Sequence, residues 1–107
     1  MNLDWHQVSD GSVVIALDGE LDMATAPQLR ELLMKSIAEE ARAVTTIDLD
    51  KCTFVDSTGI GIIVEAGHLL DRDLQELRIA NLRDQPKQVF DLTLVGQAPF
   101  IQIVGQR

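Results

Sequence analysis

The chain has 107 residues, of which 46% are hydrophobic, and nine Lys and Arg stand against seventeen Asp and Glu for a net charge of −8. That is the size and apolar content of one domain, residues 1–107, able to bury a core without disulfides or metal. The charge argues against nucleic acid as a partner, because binding it needs clustered cations to displace counterions, and it equally disfavours an anionic membrane surface.

A basic protein partner is compatible with this acidity, as is simple solubility. The only cysteine, Cys52, excludes an intrachain disulfide and fits a reducing compartment. It reads as a small buried hydrophobe, with a redox handle or an intermolecular bridge as the other reading. The first residues lack a basic region followed by an apolar stretch, and no apolar run is long enough to cross a bilayer. A soluble, cytoplasmic protein is therefore expected.

In chain order, Leu3 and Trp5 suggest an N-terminal edge strand. Residues 13–17 form a continuous apolar run, the pattern of a central strand, ended by Gly19. Thr25 and Gln28 then read as a capping box, with Pro27 in the first turn where its missing N–H costs nothing. Leu29, Leu33, Ile37 and Ala41 recur at helical spacing, widened by Leu32, and predict an amphipathic helix over 26–42. Residues 44–50 alternate, with Thr45, Ile47 and Leu49 on one face and Thr46 and Asp48 on the other, which predicts a half-buried strand. A second helix is expected over 58–70 and a strand over 77–82, with Leu77 and Ile79 inward and Arg78 outward. Asp84 and Pro86 open a short helix that carries Val89, Phe90 and Leu92 inward, and 100–104 is the last strand. The order β-β-α-β-α-β-α-β predicts an α/β domain with a mixed, largely parallel sheet. Because several strands alternate, the helices should lie mainly on one face and leave the other partly open.

The turn into the second helix carries the most information. Asp56 and Ser57 are residue types whose side-chain oxygens accept the free N–H groups of a helix start. The same free N–H groups and the helix dipole favour an anion there. Gly59 and Gly61 thin the first turn, so that a partner or a phosphate could approach closely. Ile60, Ile63, Val64 and Gly67 make one apolar stripe, and Ile62, Ala66 and Leu69 make a second, either packed internally or exposed for a partner. Ser57 reads as an ordinary cap or as a regulatory phosphosite. Asp56 reads as a cap or loop anchor before a chemical group, and Thr58 as a buried first-turn residue before a second acceptor.

Gly19-Glu20-Leu21-Asp22, the helix led by Ala, Thr and Pro, and Phe54-Val55-Asp56-Ser57-Thr58-Gly59-Ile60-Gly61 together resemble the STAS domain, and more narrowly the bacterial anti-sigma factor antagonists. The resemblance spans nearly the whole chain. It implies a STAS-like α/β fold with a mixed, largely parallel sheet and helices mainly on one face. It further implies that the chain binds an anti-sigma factor that is also a serine kinase and so frees a sigma factor. The resemblance places phosphorylation at Ser57, with a phosphatase restoring the active form. Asp22 is similar to the family's acidic residue beside the acceptor, where it orients or polarises the Ser57 hydroxyl, shapes the kinase contact, or terminates the strand and holds the loop. The implied contact surface comprises Asp22, Asp56, Ser57, Thr58, Gly59, Ile60, Gly61 and Ile62, with Ile60, Gly61 and Ile62 as its apolar part. No cofactor is implied, and a weak nucleotide contact near Asp22 and Ser57 stays open, as does the choice between a monomer and a weak homodimer. Some STAS proteins are instead adaptor subunits of transporters or signalling assemblies, which would use the same surface without a phosphate cycle.

An enzyme is not expected. His6 and His68 lie in unrelated segments without metal-ligand spacing or a Ser-His-Asp context. Gly59-Ile60-Gly61 lacks the third glycine of a dinucleotide fingerprint.

Overall fold

The computed structural model describes residues 1–39, 44–93 and 98–105. Strand β1 (Asn2–Gln7) returns through a tight turn into β2 (Val13–Leu21), and α1 (Ala26–Glu39) carries the chain to β3 (Val44–Val55). Helix α2 (Ser57–Arg72), β4 (Glu76–Ala80), α3 (Asp84–Thr93) and β5 (Ile101–Val104) follow. The five strands lie in the order β1-β2-β3-β4-β5; β1 is antiparallel to β2 and the remaining pairs are parallel. The α/β class, the element order and the largely parallel sheet agree with the sequence pattern.

The register explains why one face is covered and the other open. Val13, Thr45, Leu77 and Ile101 lie side by side across four strands, as do Ile15, Ile47, Ile79 and Ile103. All but Ile103 are buried. Val13, Ile15, Ile47, Leu77, Ile79 and Ile101 join Leu29 and Leu33 of α1, Ile60, Ile63, Ala66 and Leu70 of α2, and Phe90 of α3 in one core cluster, with Ile103 packed against it. Side chains alternate across a sheet, so Val14, Thr46, Arg78 and Gln102 form the neighbouring row on the opposite face, where each is half-buried or exposed. Residues 13–17 therefore alternate in burial despite their unbroken apolar sequence. A helix-free face asks only for small or polar groups at Ala16, Asp48 and Ala80.

Several expectations need correction. Gly19 does not end β2. The strand runs on to Leu21, with register shifts between Ala16 and Asp18 and between Gly19 and Glu20, and Gly19 at φ +125° supplies the backbone that such a bulge needs. Strand β3 likewise runs to Val55 instead of stopping at residue 50, and its buried residues Leu49, Cys52 and Val55 fall three apart, which hides it from a period-two pattern. Thr25 is not a side-chain cap for Gln28. Its hydroxyl donates to the Glu20 carbonyl at 2.7 Å and accepts from the Asp22 N–H at 2.9 Å, while Gln28 N–H reaches only the Thr25 carbonyl. Leu92 is 83% exposed, because two residues beyond buried Phe90 a helix has turned to its far side. The predicted end of the first helix at residue 42, with Ala41, lies outside the described residues.

Candidate functional site

The first helical turn of α2 meets the loop between β2 and α1 at the C-terminal end of the parallel strands, where α/β sheets form their binding crevices. The two segments are 33 residues apart in sequence, and the sheet brings them together. Leu21 is in register with Val55, and the Asp56 N–H continues the pairing by donating to the Leu21 carbonyl at 3.1 Å. Asp56 holds an extended backbone at φ −108° and caps α2: its Oδ1 accepts from Gly59 N–H at 3.1 Å. Its Oδ2 accepts from Met23 N–H, also at 3.1 Å. One carboxylate therefore satisfies a free helix donor and ties the β2–α1 loop to the helix it caps.

Asp22 is engaged within its own loop. Its Oδ1 accepts from Ala24 N–H at 2.9 Å and from Thr25 N–H at 3.1 Å. Its carbonyl accepts from Ala26 N–H at 2.7 Å, which starts α1. Of the roles open in the sequence, these bonds serve the loop-holding one. A third side chain steadies the site from below: the Gln85 amide brackets the Val55 backbone, accepting from its N–H at 2.8 Å and donating to its carbonyl at 3.0 Å.

Ser57 is the first residue of α2 and is exposed, and among the described residues its hydroxyl makes no hydrogen bond. Thr58 is exposed as well, contrary to the expected burial. Gly59 is buried, and a Cβ there would come within 2.7 Å of Leu21 Cγ, so its lack of a side chain serves packing of α2 against the end of β2. Ile60 is 7% exposed and belongs to the core; it shapes the site from beneath and offers little apolar surface outward. Gly61 is exposed and Ile62 half-buried. The two apolar stripes resolve accordingly: Ile60, Ile63, Ala66, Gly67 and Leu70 are buried, whereas Ile62, Val64 and Leu69 are only partly so. Two residues outside the sequence-derived set also flank the serine. Met23, whose N–H is held by Asp56, is 74% exposed, and Phe54, paired with Glu20 across β2 and β3, is 37% exposed. A large apolar residue directly after Gly19-Glu20-Leu21-Asp22 was the available signal for Met23.

The arrangement presents a hydroxyl but does not activate it. An activated serine needs a base within hydrogen-bond reach, yet Asp56 and Asp22 are turned to backbone donors and neither is bonded to Ser57. His68 lies further along α2 with its ring 4.0 Å from that of Phe100, and His6 lies on β1. Among the described residues no cluster of His, Cys, Asp and Glu has a metal-binding arrangement, and no helix is long and apolar enough to cross a membrane. A phosphoryl acceptor suits this geometry: Ser57 is exposed, and the helix N-terminus favours the anion that would form on it.

The model of the STAS domain matches residues 6–103. The anti-sigma-B factor antagonist of Staphylococcus aureus is 30% identical over 94 residues, covering 87% of this chain and 86% of the relative. Its namesake from Bacillus subtilis is 31% identical over 93 residues, 87% of this chain and 83% of the relative. The crystal structure of an anti-sigma factor antagonist from Mycobacterium paratuberculosis superimposes with a TM-score of 0.84 at 20% identity, covering 95% of this chain and 83% of that one, and so has the same fold.

Proposed function

The chain belongs to the STAS domain family, among the anti-sigma factor antagonists, and from that premise we propose that it is a phosphorylation switch on an anti-sigma factor. In its unphosphorylated form it binds an anti-sigma factor that is also a serine kinase, in the bacterial cytoplasm, and the sigma factor is freed for transcription. The kinase phosphorylates Ser57 and the complex comes apart; a phosphatase resets it. The protein performs no chemistry itself. The base and the nucleotide belong to the kinase, and this chain supplies the acceptor and the surface around it, formed by Asp22, Asp56, Ser57, Thr58, Gly61 and Ile62 over a floor of Gly59 and Ile60.

The observation that carries this reading is the exposed Ser57 hydroxyl at the start of α2, without a hydrogen-bond partner among the described residues. A phosphate there adds roughly −1.5 to −2 charge at neutral pH. The α2 N-terminus accommodates that charge, so the fold is retained. A partner packed against the same spot meets new bulk and a charge to desolvate, which are heavily penalised at a close interface. The test is binding of the purified anti-sigma kinases of the same genome to wild type, Ser57→Ala and Ser57→Glu. Wild type and Ser57→Ala should bind one of them, and Ser57→Glu should bind it at least about tenfold more weakly, a difference near 1.4 kcal/mol. Equal binding by all three would contradict the switch.

A further inference from the structure

The glycines of α2 differ in a way that points outward. Glycine inside a helix is unfavourable relative to alanine, so each needs a reason. Gly59 has one in Leu21, and Gly67 has one in Phe100, whose Cδ2 would lie 2.7 Å from an added Cβ. For Gly61 a Cβ would meet nothing within 4 Å, and the residue is exposed. Nothing within the described fold requires glycine there. Gly61 lies four residues after Ser57, directly below it on the same helical face. Met23 is the converse case. Its backbone is pinned by Asp56, its neighbour Ala24 by Asp22, and yet its side chain is 74% exposed. The fixed backbone removes the loop-ordering part of the cost of binding, and a flexible thioether side chain adapts to the shape of a partner's pocket.

We infer that the partner footprint around Ser57 has two specific parts: Met23 inserts into an apolar pocket of the anti-sigma kinase, and a backbone segment of that kinase packs into the gap left by Gly61. This rests on the functional reading above. It commits to the kinase as occupant because Asp56 holds Met23 beside the first turn of α2 and Gly61 lies one turn below the acceptor. Both therefore adjoin the acceptor that this kinase has to reach.

The experiment measures the affinity of wild type, Gly61→Ala, Met23→Ala and Leu74→Ala for the purified anti-sigma kinases of the same genome, together with the thermal midpoint of each variant. Leu74 is 95% exposed beyond the opposite end of α2 and serves as the control. Gly61→Ala should melt about 4 °C higher, as a helical Gly-to-Ala change does when the methyl is free of contacts, and should still bind about tenfold or more weakly. Met23→Ala should weaken binding by a similar factor with its midpoint unchanged, and Leu74→Ala should match wild type. A site that served only the fold would not pair higher stability with lost affinity. If wild type binds a kinase and either Gly61→Ala or Met23→Ala binds within about twofold of it, the two-part footprint is wrong while the switch stands. If wild type binds none of the kinases, the functional reading falls and the footprint with it.

Discussion

At the scale of single residues, Asp56 is the most consequential side chain of the site, because its two oxygens serve two different segments. Asp56→Ala should lower the stability to urea by about 1–2 kcal/mol, the usual cost of losing an N-cap, and should slow phosphorylation of Ser57 as the β2–α1 loop leaves the helix. Asp22 separates charge from geometry. The bonds to its carboxylate come from backbone donors in the next three residues, and an asparagine oxygen can accept the same ones. Asp22→Asn should therefore be phosphorylated at nearly the wild-type rate, and a collapse of that rate in a folded Asp22→Asn variant would show that the charge acts on Ser57. Cys52 is 4% exposed, with its Sγ 3.4 Å from the Phe54 carbonyl, and burial raises its thiol pKa above the ordinary 9.0. A raised thiol value means that the folded chain keeps its proton longer than the unfolded one. The resulting stability is complete below the ordinary value and is lost as pH rises through the folded one. Urea midpoints should fall on the alkaline side in wild type and fall less in Cys52→Ala, and iodoacetamide should label Cys52 only after unfolding.

At the scale of the elements, α2 shows how much of the site was legible and where legibility ended. Its apolar stripes, its glycines and the Asp-Ser start identify a helix with a special first turn. Whether a given glycine serves packing or a partner depends on what stands opposite, and Leu21 stands opposite Gly59 only because β2 continues through a bulge at Gly19. Gly59→Ala should accordingly destabilise by about 1–3 kcal/mol, the range for overpacking a filled site, measurable as a lower urea midpoint. The strand ends were missed for one reason: irregular register at 16–20 and three-residue spacing at 49–55 break the alternation that reveals a strand. The clamp from Gln85 to Val55 and the tie from Asp56 to Met23 span 30 and 33 residues. They depend on tertiary register, and polar residues in turn-rich segments carry no local sign of such partners. The surface position of Met23 belongs with them, whereas Ser57, Asp22 and Gly61 could be read from the motifs alone.

At the scale of the molecule, the helices and core lie on one side of the sheet, and Ser57, the proposed acceptor, is exposed at the start of α2. Phosphorylation is thus expected to leave the protein folded, and the far-UV circular dichroism of the two forms should superimpose. A large loss of helical signal in the phosphorylated form would mean that the switch works by unfolding α2. The most direct test of the central claim is intact mass after incubation with ATP and each anti-sigma kinase of the same genome, for wild type and Ser57→Ala. The account predicts one added phosphoryl group on wild type and none on Ser57→Ala. An unmodified wild type, or a phosphate that persists in Ser57→Ala, would contradict it.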